Sequence, residues 1–292
     1  YWNLAEHRSR VSQPAILVNH DAWFQTAGDI SAHASSLRSR LLWRLEAETV
    51  RRHESTAQGR FDWRLFLSEE DRCSLRRTGH LPDRDITLPV PFVFEPAEEV
   101  GRREEPVPPK VVFVGGLSAP FNVDAARFFA REIWPRVHGQ LPDATFAIVG
   151  DHPPPEVLEL SSIDGVTVTG YVPDLRGYLR QFAIAVSPCR IGTGIKVKVA
   201  EAMAAGLPVV GTTIGLSGYA GADCLVKRDE PAPFADAVVA LLRDEERRSE
   251  LAQACLRHYR SELWFDTVAP KVIALYERMA SMPVRRAPGA TV

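Results

Sequence analysis

One stretch near the middle of the chain has the residue types and spacing that anion chemistry needs. It runs Ser187-Pro188-Cys189-Arg190-Ile191-Gly192-Thr193-Gly194-Ile195-Lys196-Val197-Lys198, with Glu201 one turn further on. Gly192 and Gly194 flank Thr193 just before a predicted helix, whose unbonded first-turn amides and positive dipole end favour an anion. Arg190, Lys196 and Lys198 add positive charge beside it. Lys198 and Glu201 are three apart and share a helix face. A diphosphate at the helix start leaves its ribose near the Glu201 carboxylate, which can accept two vicinal hydroxyls. Val199, Ala202 and Met203 form the opposite, core-facing stripe. Spacing alone leaves a second reading open. Glycine-rich turns lead from strands into helices in many α/β domains without a phosphate, and a Lys–Glu pair three apart is often a solvated ion pair.

Such a site needs a scaffold, and the second half of the chain supplies its pattern. Val111-Val112-Phe113-Val114 is an apolar run closed by Gly115-Gly116, which reads as a buried parallel strand. A helix is predicted over 122–138, with Ala125, Phe128, Phe129 and Ile133 at helical spacing. Ala144 to Val149, Val166 to Thr169, Phe182 to Val186, Leu207 to Val210 and a shorter Cys224 to Val226 read as further strands. Helices are predicted near 174–181, 196–205, 232–243 and 245–260, and Gly206 with Pro208 stops the second of these. Asp174 reads as the N-cap of the first. Alternating strands and helices imply one doubly wound α/β domain over about 109–265. Ligands bind such sheets at the carboxyl ends of strands. Two further glycine turns therefore stand beside the one above: Gly115-Gly116 leading to Asn122, and Gly211-Thr212-Thr213-Ile214-Gly215.

The first ninety residues differ. Strands are read at 15–18 and 63–67 with a long helix between them near 36–56, and a third strand-like run lies at 86–90. That is too few strands for a complete nucleotide-fold domain. Residues 95–109 hold four prolines and a cluster of glutamates without periodicity, as an interdomain linker does. The expected division is a partial N-terminal domain over 1–94, the linker 95–109, a ligand-binding domain over 110–265, and a C-terminal helix and tail over 266–292. The chain opens on Tyr1 rather than Met, so a fragment is expected.

Bulk properties remove several function classes. A net charge of −2 over 292 residues gives no basic surface for nucleic acid. No apolar run reaches the roughly 18 residues of a membrane span, and the first eight residues lack a signal-peptide core. The four cysteines, Cys73, Cys189, Cys224 and Cys255, form no Cys-x-x-Cys pair. That argues against zinc and a disulfide framework, and for a reducing, cytoplasmic setting.

The run Lys198-Val-Ala-Glu201-Ala-Met-Ala-Ala-Gly206-Leu-Pro208-Val-Val-Gly-Thr resembles the signature of the family 4 (group 1) glycosyltransferases of GT-B fold. Phe113-Val-Gly-Gly-Leu, Phe146-Ala-Ile-Val-Gly150, Val166-Thr-Val-Thr-Gly170-Tyr171-Val172-Pro-Asp174 and Gly192-Thr-Gly-Ile-Lys196 follow the family's order. The likeness covers about 109–265 closely, and residues 61–71 more loosely. It implies a complete C-terminal Rossmann-like domain, a partial N-terminal one, and a donor lying in the cleft between them. It further implies retaining transfer of a sugar from a nucleotide-diphosphate donor to an acceptor hydroxyl, with basic side chains and a helix N-terminus stabilising the leaving diphosphate and no metal or other cofactor.

Residue by residue, the family's Glu-seven-Glu motif falls on Thr193 and Glu201. Glu201 keeps the ribose position, while Thr193 replaces the glutamate that touches the donor sugar. Tyr171 and Val172 lie where the family borders the nucleobase. The family's Gly-Arg and following Lys read here as Gly115-Gly116 and Phe121-Asn122, so Lys196 and Lys198 are expected to take over the phosphate. The N-terminal side lacks its first βα units. His20, after a strand, is either the acceptor-side cleft histidine or a loop histidine without a role. Arg190 either faces the diphosphate or is a surface arginine. The helix near 36–56 is most simply a solvated amphipathic helix; the other reading is peripheral contact with anionic lipid at the inner face of the membrane. The resemblance fits polysaccharide biosynthesis with a glycan or lipid-linked acceptor. The competing function is a nucleotide-sugar-binding module without turnover. A GT-B phosphorylase would need a lysine for pyridoxal phosphate in a much longer chain, and an epimerase would need carboxylates and histidines that are not found.

Overall fold

Short apolar runs rich in valine and isoleucine and closed by glycine become buried parallel strands, because only a strand covered on both faces tolerates continuous apolarity. The computed structural model describes residues 14–19, 23–34, 36–58, 60–76, 85–98, 109–219 and 221–281. The chain forms two units, one of Tyr1–Pro91, Gly192–Ile195 and Phe265–Val292, the other of Phe92–Ile191 and Lys196–Trp264.

The first unit holds a parallel sheet of β1 (Ile16–Asn19), β2 (Trp63–Phe66) and β3 (Asp85–Thr87), in that order. Its helices are α1 (Trp23–His33), α2 (Leu37–Gln58) and α3 (Glu69–Arg76). The C-terminal helix Phe265–Ala280 returns to this unit, and Leu275 and Met279 pack with Trp63 and Leu65. Phe66, Leu75 and Phe24 form a second apolar cluster. All of β2 is buried, including Arg64, which is charge-paired with Asp85 on the neighbouring strand. That pairing is what lets an arginine sit in a buried strand.

The second unit is a six-stranded parallel sheet: β4 (Lys110–Val114), β5 (Thr145–Val149), β6 (Val166–Gly170), β7 (Ile184–Ser187), β8 (Val209–Gly211) and β9 (Val226–Lys227). Their spatial order is β6-β5-β4-β7-β8-β9. The chain runs outward one way from β4 and the other way from β7, so the strand order reverses between these two. This is the topological switch point of a doubly wound sheet, the place where such sheets bind ligands.

The helix expected over 122–138 is broken. It runs as α4 (Pro120–Phe128), a π-helical turn over Phe129–Ile133, and α5 (Trp134–His138). Pro135 explains the break, since it has no N–H for the carbonyl four residues back. Phe129, Trp134 and Phe146 gather there, with Phe129 and Phe146 ring centroids 4.5 Å apart. The remaining helices are α6 (Pro155–Leu158), α7 (Leu175–Leu179), α8 (Val197–Ala204), α9 (Pro231–Arg243) and α10 (Glu245–His258). Asp174 caps α7 through the Gly177 amide (2.9 Å), as its position predicts.

Candidate functional site

The site builds from the carboxyl ends of β4 and β7. After β4 the chain turns at Gly115-Gly116 and enters α4. Gly150, at the end of β5, crosses so close that a Cβ there would overlap the Gly115 carbonyl oxygen. A Cβ on Gly115 would in turn lie 2.9 Å from Cγ of Asn122. These glycines exist for close approach: the Gly115 carbonyl takes the space at Gly150, and the Asn122 amide takes the space at Gly115.

Asn122 lies in the first turn of α4, 6% exposed. Its Nδ2 donates to the Gly116 carbonyl (2.9 Å), and its Oδ1 accepts from Lys198 Nζ (2.5 Å). The Lys198 ammonium also sits 4.5 Å from the centroid of the buried Phe113 ring, where the ring quadrupole attracts a cation. It lies 3.7 Å from Cys189 Sγ. Gly115, Gly116, Asn122 and Lys198 are thus brought into one cluster.

Lys198 stands in the first turn of α8, which begins after Lys196 without a capping side chain. The Lys196 carbonyl is held by the hydroxyl of buried Tyr219 (2.7 Å). One turn along α8, Glu201 is half-buried, and its carboxyl has no hydrogen-bond partner among the described residues. Burial pushes its pKa from 4.5 up to about 7, a rise that Lys198 partly offsets. Tyr219 is pushed well above its ordinary value, first by burial and then by the nearby Glu201 charge. Burial likewise raises Tyr259, whose hydroxyl donates to the Phe94 carbonyl (2.6 Å). Together these residues form a cation beside an unspent carboxyl at an uncapped helix start, a combination suited to a phosphate followed by a polyol.

Arg190 is not part of this cluster's bonding. Its Nε and Nη2 donate to Asp124 of α4 (3.1 and 2.7 Å), and its guanidinium lies 4.2 Å from the Phe128 ring centroid. The turn at Gly211–Gly215 is closed by its own bonds: Asp229 takes the Thr213 amide and hydroxyl, and Ser187 Oγ donates to the Gly215 carbonyl. Tyr171 is 73% exposed and Val172 half-buried, both following β6, two strands out from β4.

The segment Gly192–Ile195 groups with the first unit. There Gly192 N–H donates to Asp29 (3.3 Å), Thr193 N–H to Thr26 (3.2 Å) and Gly194 N–H to Asp71 (3.3 Å). Gly192 and Gly194 have φ of 106° and 75°, conformations that glycine alone adopts readily. His20 lies outside the described residues. Among the described residues no group of three or more His, Cys, Asp or Glu side chains could hold a metal ion.

Sequence reasoning missed Phe113 and Tyr219. Phe113 reads simply as a core strand residue, and Tyr219 sits in a turn with no periodicity to place it.

Residues 108–244 match the family described as Glycosyl transferases group 1. No curated protein matches the chain in sequence. Among solved structures it is similar to S. aureus TarM in complex with fondaparinux, alpha-GlcNAc-glycerol and UDP. The identity there is 14% and the TM-score 0.67, covering 90% of this chain and 50% of that one. It is also similar to sucrose-phosphate synthase from Thermosynechococcus elongatus (17%, TM-score 0.73, 96% and 72% covered). Anabaena HepE in complex with UDP and glucose gives 12%, a TM-score of 0.68, and 97% and 76% covered. The chain spans about half the length of TarM. Over residues 108–244 the second unit is thus similar to the group 1 glycosyltransferases, and the chain has the α/β GT-B fold with its two Rossmann-like sheets.

Proposed function

We propose that the chain carries the donor site of a glycosyltransferase that moves a sugar from a nucleotide-diphosphate donor to an acceptor hydroxyl, with retention and without a metal ion. One observation carries this reading: at the switch point, a positioned lysine and a carboxyl without a hydrogen-bond partner stand one turn apart on the helix that opens there. In this role Lys198, Lys196 and the start of α8 meet the diphosphate, whose negative charge grows as it leaves. Glu201 accepts the ribose hydroxyls. Gly115 and Gly116 let the backbone approach, Gly192, Thr193 and Gly194 face the donor sugar, and Tyr171 with Val172 borders the base. That TarM and HepE were solved with UDP supports a nucleotide donor.

The expected acceptor is a glycan or a lipid-linked sugar, as in polysaccharide assembly on the cytoplasmic side. Contact with an anionic membrane surface is supported by α2, which exposes Leu37, Leu41, Leu42 and Leu45 beside exposed Arg38, Arg40 and Arg44. No helix among the described residues is long and apolar enough to cross a membrane. A second reading, a nucleotide-sugar-binding module without turnover, draws on Thr193 standing where the family carries a glutamate.

The test is calorimetry with uridine, guanosine and adenosine diphosphates in EDTA. One of them is expected to bind and to raise the melting temperature, with Glu201→Ala losing the gain and Lys198→Ala reducing it to a weaker but measurable binding. Parental binding by both variants refutes the assignment. Transfer by the full-length protein, compared with this chain, separates enzyme from binding module.

A further inference from the structure

We infer that Asn122 is a positioning residue that aims the Lys198 ammonium at the donor phosphate, an inference that rests on Lys198 being a diphosphate ligand. A carboxamide has two unlike ends. Here the Nδ2 end is committed to the Gly116 carbonyl (2.9 Å), so the Oδ1 end faces Lys198, 76 residues away in sequence. Asn122 cannot swing aside, because it is buried and fills the space left by the missing Cβ of Gly115. The turn that sequence alone offers as a phosphate loop therefore acts through Asn122.

A lysine on its four-carbon stem is otherwise free to sample many rotamers. Here the amide oxygen fixes one ammonium hydrogen and the Phe113 ring lies along the cation. The neutrality of asparagine matters as much as its shape. Aspartate at 122 would still hold the ammonium by charge, but it would lose the Nδ2 bond to the Gly116 carbonyl and cancel the charge that an incoming anion needs. Asparagine holds the lysine and leaves its full charge available.

Two measurements on the chain test this. The Lys198 Nζ lies 4.5 Å from the Phe113 ring centroid, so the NMR signals of the adjoining Hε protons are expected to be displaced from those of exposed lysines. In Asn122→Ala they should move toward the exposed-lysine position without any ligand present. Calorimetry with the diphosphate that binds best should show roughly tenfold weaker affinity for Asn122→Ala, with the affinity for the bare nucleoside unchanged. In a Lys198→Ala background the Asn122→Ala change should add nothing, whereas a merely structural role would add its full loss. If alanine unfolds the chain, Asn122→Asp serves: Hε signals stay displaced while diphosphate affinity falls. Unmoved Hε signals in Asn122→Ala, additive losses, or parental affinity in Asn122→Asp overturn the inference. A parent that binds no nucleoside diphosphate overturns the donor-site reading instead, and the NMR comparison still decides whether Asn122 holds Lys198.

Discussion

Arg190 and Asp124 form a two-point ion pair, with the guanidinium stacked on Phe128. The pair ties the strand-to-helix segment after β7 to α4, 66 residues earlier in sequence. Arg190 is therefore expected to act on stability. Arg190→Ala should cost about 1 kcal/mol in denaturant unfolding, since both partners are partly exposed. Diphosphate affinity should change by less than about twofold. A large affinity loss at unchanged stability would place the guanidinium on the ligand.

Glu201 should make both stability and donor binding depend on pH. Its folded pKa of about 7 exceeds the ordinary 4.5, so the folded protein keeps the proton longer than the unfolded chain does. Stability should then fall as pH rises from about 4.5 to about 7 and level off above that, by no more than about 2 kcal/mol given its partial exposure. Glu201→Gln should remove that slope. Binding runs the other way, because the ribose hydroxyls need the ionised carboxylate. Affinity for a nucleotide-diphosphate sugar should rise up to about tenfold per pH unit below 7 and then flatten. An affinity flat from pH 5.5 to 8 would remove Glu201 from the ribose.

Gly150 allows no side chain. In Gly150→Ala the new Cβ meets the Gly115 carbonyl, a backbone atom that cannot rotate away. A loss of at least about 2 kcal/mol in thermal or urea unfolding is expected. Gly170→Ala is the control: nothing lies within 4 Å of its Cβ, and only its φ of 72° opposes the change. It should cost about 1 kcal/mol. Equal losses at the two positions would contradict the packing described for the turn.

Tyr219→Phe keeps the buried ring and removes the hydroxyl, with its bond to the Lys196 carbonyl and its contact with the Ala200 backbone at the start of α8. About 1 kcal/mol of stability should be lost. Amide hydrogen exchange should quicken over the first turn of α8. Unchanged exchange there would mean that the helix start is held by other bonds.

Local rules carried much of the fold. Apolar runs ending in glycine marked β4 and β5, and the Gly206 and Pro208 stop marked the end of α8, because strand burial and helix termination depend on a few adjacent residues. Lys198 and Glu201 were legible as a pair for the same reason: helical period alone puts them on one face. The break at Phe129–Ile133 had a visible cause in Pro135, yet helical spacing on both sides concealed it.

The choice of partners was decided only in three dimensions. Nothing near Lys198 in sequence announces Asn122 or the Phe113 ring, and nothing near Arg190 announces Asp124. Those meetings follow from the strand order, which sets β4 against β7 and brings the start of α4 to the segment leading into α8. Periodicity and turn chemistry act over a few residues, whereas strand order is a balance over the whole core. The sequence alone thus marked a helix able to receive an anion, and the tertiary structure decided which side chains hold its lysine in place.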